Sequence, residues 1–324
     1  MLNSLLNDLK MKTSLTIILL CLTLQLPAQL LKEISGNKLL TTSIRTGDTE
    51  IFIIDPVTGD AFNVTKAPGS EERYPIWMPD GKRVAFTSNR DDVKTFNLYI
   101  ANTDGTSVMR LTNETGGAVY YFPSVQADGK KIWFSMAKDD KAIIGYVSLD
   151  GKEYKEVADG RDGAISPNGQ QVAFTKKLER GFPVFMMDAD GKNQKQITEH
   201  QDEIGAVAPT WSNDSNKLLY ADQVDEFLEV FSCDADGKNP KQLTNLKKIS
   251  SSAAWSPDGR FITFRVTDFA YWLDPKTQSK TYQEKLGDKR PVFIMRSDGS
   301  DVQLLETLHY HCAMDGSRAA WKPN

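Results

Sequence analysis

Apolar and polar residues alternate in short runs along most of this chain, and tight turns separate the runs at nearly constant spacing. Arg83 to Ser88 reads Arg-Val-Ala-Phe-Thr-Ser, the pattern of a half-buried strand. A shorter run ending in Trp77 precedes it, and Met78-Pro-Asp-Gly81 lies between the two. Asp-Gly between alternating runs predicts a hairpin, because Gly supplies the positive φ of the turn without strain.

The same pattern recurs. Trp255-Ser-Pro-Asp-Gly259 is the nearest copy, and Trp211-Ser-Asn-Asp-Ser215 is a decayed one. Val125 and Ile165 take the Trp position in two more copies, and Ala319-Ala-Trp-Lys-Pro-Asn324 begins another. The aligned positions 77, 125, 165, 211, 255 and 321 are separated by steps of 48, 40, 46, 44 and 66 residues. A period in the forties predicts one four-stranded unit per repeat, stacked radially as propeller blades.

Within a unit the strands expected are, for example, one ending at Trp77, then Arg83–Ser88, Asn97–Ala101 and Ser107–Thr112. A second Asp-Gly turn joins the last two strands and recurs at Asp104, Asp150, Asp190, Asp236 and Asp298. Leu or Ile followed by Thr closes several units, as at Leu111-Thr112, Ile197-Thr198 and Leu243-Thr244. The first unit has only Lys38–Thr42, Glu50–Ile54 and Phe62–Thr65, so it lacks an innermost strand. Arg318–Trp321 at the chain's end supplies one. The fold expected is an all-β, six-bladed β-propeller of four-stranded blades, closed by pairing of the C-terminal strand with the N-terminal blade. Closure of this kind buries both edges of the array.

Such blades put the strand 1–2 and 3–4 turns on one face, where tight Asp-Gly turns offer a ligand little. The strand 2–3 loops and blade connections surround the channel mouth on the other face, where binding is expected. The long last step comes from an insertion, Thr267–Arg290, that carries Phe269, Tyr271, Trp272 and Tyr282. Aromatic residues give large contact area at low entropic cost, so these four are the candidate ligand-binding residues. The repeated Asp and Gly residues need no chemistry, since Asp bonds its own turn backbone. The tryptophans are expected in the core between blades.

Composition changes this picture little. Of the 324 residues, 40% are hydrophobic and 10% aromatic, as in an ordinary globular protein. The formal charge of −4, or −5 without residues 1–28, gives no basic footprint for nucleic acid. Lys10 and Lys12, the apolar run Leu15–Leu24 and Ala28 predict a secretory signal over residues 1–28, with a core too short to span a bilayer. Met11 is an alternative start. Ile18-Leu19-Leu20 ahead of Cys21 lacks the small residues of a lipoprotein signal. The remaining residues, 29–324, form one domain, periplasmic or secreted. Cys233 and Cys312 fall on opposite faces and are expected unpaired.

The repeats resemble those of TolB and its relatives, WD-like repeats with a Trp-Ser-Pro-Asp-Gly core, from Gly36 to Asn324. TolB carries an α/β domain ahead of its propeller, and the few residues before the first predicted strand leave no room for one. The resemblance therefore implies a stand-alone propeller.

Three histidines complete the candidate chemistry. His309 and His311 share a loop with Cys312 and Asp315, and His200 lies in another beside Glu199, Asp202 and Glu203. Imidazole with carboxylate suits a divalent metal, so His200, His309, His311 and Asp315 form a candidate metal site. No Gly-x-Ser-x-Gly elbow, phosphate loop or zinc-spaced Cys pair is present. The function expected is an exported, monomeric binding scaffold for a protein, peptide or saccharide, without a cofactor. The alternative is a metal-assisted polysaccharide lyase or another glycan enzyme at the channel mouth.

Overall fold

The computed structural model describes residues 29–179, 181–199, 207–267, 291–305 and 317–323. Residues 29–33 are helical, and strands follow: β1 (Leu39–Ser43), β2 (Glu50–Ile54) and β3 (Ala61–Asn63). Next come β4 (Glu72–Trp77), β5 (Arg83–Ser88), β6 (Asn97–Asn102), β7 (Met109–Arg110), β8 (Val119–Val125), β9 (Lys131–Lys138), β10 (Lys141–Ser148) and β11 (Tyr154–Asp159). The chain continues with β12 (Arg161–Ile165), β13 (Gln171–Thr175), β14 (Val184–Asp188), β15 (Lys195–Gln196), β16 (Val207–Trp211), β17 (Lys217–Val224), β18 (Phe227–Asp234) and β19 (Lys241–Gln242). It ends with β20 (Ile249–Trp255), β21 (Phe261–Thr267), β22 (Val292–Arg296), β23 (Gln303–Leu304) and β24 (Ala320–Trp321).

These strands build antiparallel sheets of four, in the orders β24-β1-β2-β3, β4-β5-β6-β7, β8-β9-β10-β11 and β12-β13-β14-β15. β16–β19 and β20–β23 repeat the arrangement, joined into one sheet by a single parallel bridge, Leu228 to Ile249. β24 pairs with β1 through Trp321 opposite Leu39 and Ala320 opposite Leu40. The Lys322 N–H donates to the Lys38 carbonyl at 2.9 Å beyond them.

The core lies between sheets. One cluster packs Leu40, Ile51 and Val64 of the first sheet on Trp77, Val84 and Phe86 of the next. Other clusters join each later pair of sheets. A further one joins Phe261, Val292 and Ile294 to Leu39, Phe52 and Ile54, linking the last sheet to the first. Leu30 and Ile34 of the N-terminal helical segment are buried in that same cluster, which the sequence pattern did not predict. Glu33 on the same turn bonds Arg296 of β22 at 2.9 Å.

The repeated turns have the expected cause. Asp80, Asp128, Asp214 and Asp258 each accept the backbone N–H two residues on, at 2.9–3.0 Å. Asp104, Asp150, Asp190, Asp236 and Asp298 do the same in the second turn, at 2.9–3.2 Å. Gly in that second turn also meets the preceding sheet. A Cβ on Gly105, whose φ is +87°, would lie 2.4 Å from the Val64 carbonyl oxygen.

The fourth strands are shorter than expected, with Ser107–Thr112 reduced to Met109–Arg110. The closing Thr explains this, because its side chain takes over from the ladder. Thr112 Oγ1 accepts the Leu98 N–H at 3.0 Å and donates to Asn97 at 2.8 Å. Thr65 and Thr244 relay from Ile51 and Val230 to Glu50 and Glu229 in the same way.

Five of the innermost strands, all but β24, carry a bulge. Register shifts lie between Arg73 and Ile76, Tyr121 and Ser124, Arg161 and Ala164, Val207 and Thr210, and Ser251 and Ala254. Tyr74, Phe122, Asp162, Ala208 and Ser252 there have φ of 46° to 56°. Pro75, Pro123 and Pro209 follow three of them. Proline donates nothing to the ladder, so it is compatible with a bulge at those three positions.

Candidate functional site

The C-terminal ends of β4, β8, β12, β16, β20 and β24 converge on one cavity of about 420 Å³. Its wall contains Trp77, Trp211, Trp255 and Trp321, and Pro79, Pro167, Pro257 and Pro323 stand at the turns beyond them. The cavity exists because the residue before each Trp position is small in most repeats. Ser124, Ala164, Thr210, Ala254 and Ala320 line it, and Ile76 is the larger exception. Its volume falls in the range of ligand pockets, about 300–1,000 Å³.

The bulges build its floor. Arg318, at the position matching Tyr74 and Phe122, reaches from the residues before β24 across to β16. Its Nη2 donates to the carbonyls of Ala208 at 3.3 Å and Pro209 at 3.2 Å. Its guanidinium carbon sits 4.9 Å over the Phe122 ring, and Tyr74 packs on Phe122 with ring centroids 4.8 Å apart. A cavity of about 30 Å³, large enough for one water, lies beside Arg318, Tyr74 and Phe122.

A cation and a carboxylate stand at this floor. Arg318 and Asp162 are ringed by protein atoms but keep partial access to the axial space. Burial pulls the Arg318 guanidinium down to about 10, against a smaller opposing pull from Asp162, so it stays cationic at neutral pH. Burial raises the Asp162 carboxyl above its usual range. Asp162 spends its Oδ2 on the Ala208 N–H at 3.4 Å and the Thr175 hydroxyl at 3.3 Å. Arg318 Nε is buried and has no hydrogen-bond partner among the described residues.

This cup lies at the strand 1–2 turns, the face expected to offer a ligand little. The turns themselves are tight, but the small residues just before them open the space. The repeats carry that signal when aligned on the Trp position, whereas alternation does not reveal that Arg318 reaches across to β16. The sequence-derived candidates Phe269, Tyr271, Trp272 and Tyr282, and His200, His309, His311 and Asp315, lie outside the described residues, as does Cys312. Cys233 is buried and unpaired. No group of three or more His, Cys, Asp or Glu suited to a metal occurs among the described residues. No helix among them is long and apolar enough to cross a membrane. The cup presents an apolar wall and a fixed cation, an arrangement that binds and orients.

Comparison with known proteins agrees with the architecture. A family model described as the TolB beta propeller domain matches residues 34–206. The structure of TolB from Acinetobacter baumannii superposes with a TM-score of 0.66 at 18% identity, covering 89% of this chain and 66% of that one. A TolB structure from Agrobacterium tumefaciens gives 0.64 at 17% identity, covering 88% and 93%. An oligogalacturonate lyase in complex with manganese gives 0.57 at 14% identity, covering 82% and 73%. No curated protein matches in the sequence search. At such identities the likeness is one of fold. With the family model spanning residues 34–206 and the repeated four-stranded antiparallel sheets, this chain belongs to the TolB beta propeller domain family.

Proposed function

We propose that this protein is an exported, non-enzymatic binding scaffold that holds a protein, peptide or saccharide on the axis of a six-bladed ring. The four-stranded sheets are its blades, and β24 closes it beside β1. Support for closure comes from β24, which contacts β4 on one side and β20 on the other. The observation that carries the function is the axial cup, which draws its wall from all the innermost strands. On this reading residues 1–28 direct export, and the aromatic insertion at Phe269, Tyr271, Trp272 and Tyr282 is a second contact at the other end of the channel.

A retention experiment tests the reading. Ala127 is exposed and lines the cup's rim, so Ala127→Arg obstructs the entrance without touching the core. Envelope extract passed over the immobilised wild-type chain yields a species that the variant fails to retain. Equal retention by the two would contradict the axial site.

The lyase found among structures of similar fold favours a second reading, a glycan enzyme with metal held by His200, His309, His311 and Asp315. Oligogalacturonate with manganese separates the two. The scaffold reading expects no unsaturated product at 235 nm, and product formation lost in His309→Ala supports the enzyme.

A further inference from the structure

We propose that the cup receives the free C-terminal carboxylate of a peptide segment, with Arg318 as the group that binds it. The proposal rests on the axial-cup reading and deepens it.

Arg318 is the only charged residue among the described lining residues, and the rest of the wall is mostly tryptophan, proline, aliphatic and small side chains, with Asn213. An unpaired guanidinium in such a place is costly unless an anion joins it. Asp162 is the nearby carboxylate, but it is not within ion-pair distance and is committed to the Ala208 N–H and the Thr175 hydroxyl. The cation therefore stands without a carboxylate partner among the described residues. Its Nη2 bonds to Ala208 and Pro209 fix the plane of the guanidinium, and Phe122 supports one face. This leaves Nη1, on a guanidinium held in a fixed plane, to donate to an acceptor in the cup.

Two features favour a chain end over other anions. The floor is narrowed, because Arg318 reaches from the residues before β24 to β16 and Tyr74 packs on Phe122 beside it. A narrowed floor favours a terminus over a chain that threads through. The lining also holds no second cation, which a phosphate group or polyanion would need, while its apolar wall suits the side chains next to a terminus.

The test uses a pool of tetrapeptides ending in apolar residues, prepared once as free acids and once as C-terminal amides. Each pool is passed over the immobilised full chain and the retained peptides are counted by mass spectrometry. Free acids should be retained at least tenfold over amides on the wild type. Arg318→Gln should abolish that preference, and Arg318→Lys should keep part of it. The wild-type comparison stands alone if either variant folds poorly. Equal retention of acids and amides overturns the carboxylate inference and leaves the cup in place. Retention of peptides undiminished in Ala127→Arg overturns the cup reading itself. Retention of oligogalacturonate in preference to both pools also overturns the inference, in favour of a uronate ligand.

Discussion

Trp77 donates its indole N–H to the carbonyl of Ala320 at 3.1 Å, across 243 positions of sequence. Trp211 makes the same bond to Ala164 at 2.9 Å, between neighbouring repeats. The terminal contact therefore copies an interior one, and β24 occupies the place of a first strand. Trp77→Phe should cost about 1 kcal/mol for the hydrogen bond. Ending the chain at Ser317 should cost far more, since it removes buried Trp321 and bares the edge of β1. Thermal melts and light scattering check both. A truncated chain as stable and monomeric as the full one would contradict closure.

The N-terminal helical segment should act as a strap over the seam between the first and last sheets. Ile34 is fully buried there, so Ile34→Ala should cost about 2–5 kcal/mol. Glu33→Gln should cost little, because its bridge to Arg296 is solvent-exposed and screened by salt. Denaturant titration of both variants distinguishes a strap from a loose terminus, for which neither change would matter.

Two glycines separate crowding from backbone strain. Gly105→Ala meets both a left-handed φ and the Val64 carbonyl, while Gly259→Ala, at φ +69°, meets open space. The second should cost about 1 kcal/mol for the backbone alone, and the first distinctly more. Equal melting temperatures would mean that the sheets are not held at this spacing by backbone contact.

Stability should fall with rising pH near neutrality. Burial pushes Glu72 up from 4.5 to about 7, and Glu50 adds to the rise. Ser70, Ser88 and Arg90 donate to its Oε1, while Oε2 is buried without a partner. The folded chain thus holds a proton that the unfolded chain releases at lower pH. Stability present below about 4.5 declines as pH rises through about 7, by about 3 kcal/mol in total. Glu72→Gln should flatten that decline in melts from pH 5 to 8. An unchanged slope would rule Glu72 out as its source.

Much of the architecture was legible because it repeats. The Asp-Gly turns, the Trp positions and the orphan Ala320-Trp321 all follow from local turn chemistry and a fixed period. The strap was not, because 29–33 follows an apolar run whose pattern hides where Leu30 and Ile34 point. Nor was the cup's floor, because a bulge reverses which side chains face inward. Tyr74 and Arg318 sit three residues before Trp77 and Trp321, and strict alternation gives them no special role.

Photo-crosslinking tests most directly whether the ligand sits on the axis at the cup. A benzophenone side chain placed at Ala127, on the cup's rim, is compared in cells with one at Trp272, in the aromatic insertion. The account predicts a discrete adduct from position 127 that Arg318→Gln diminishes. Adducts from position 272 with none from 127 would contradict it and move the binding surface to the aromatic insertion.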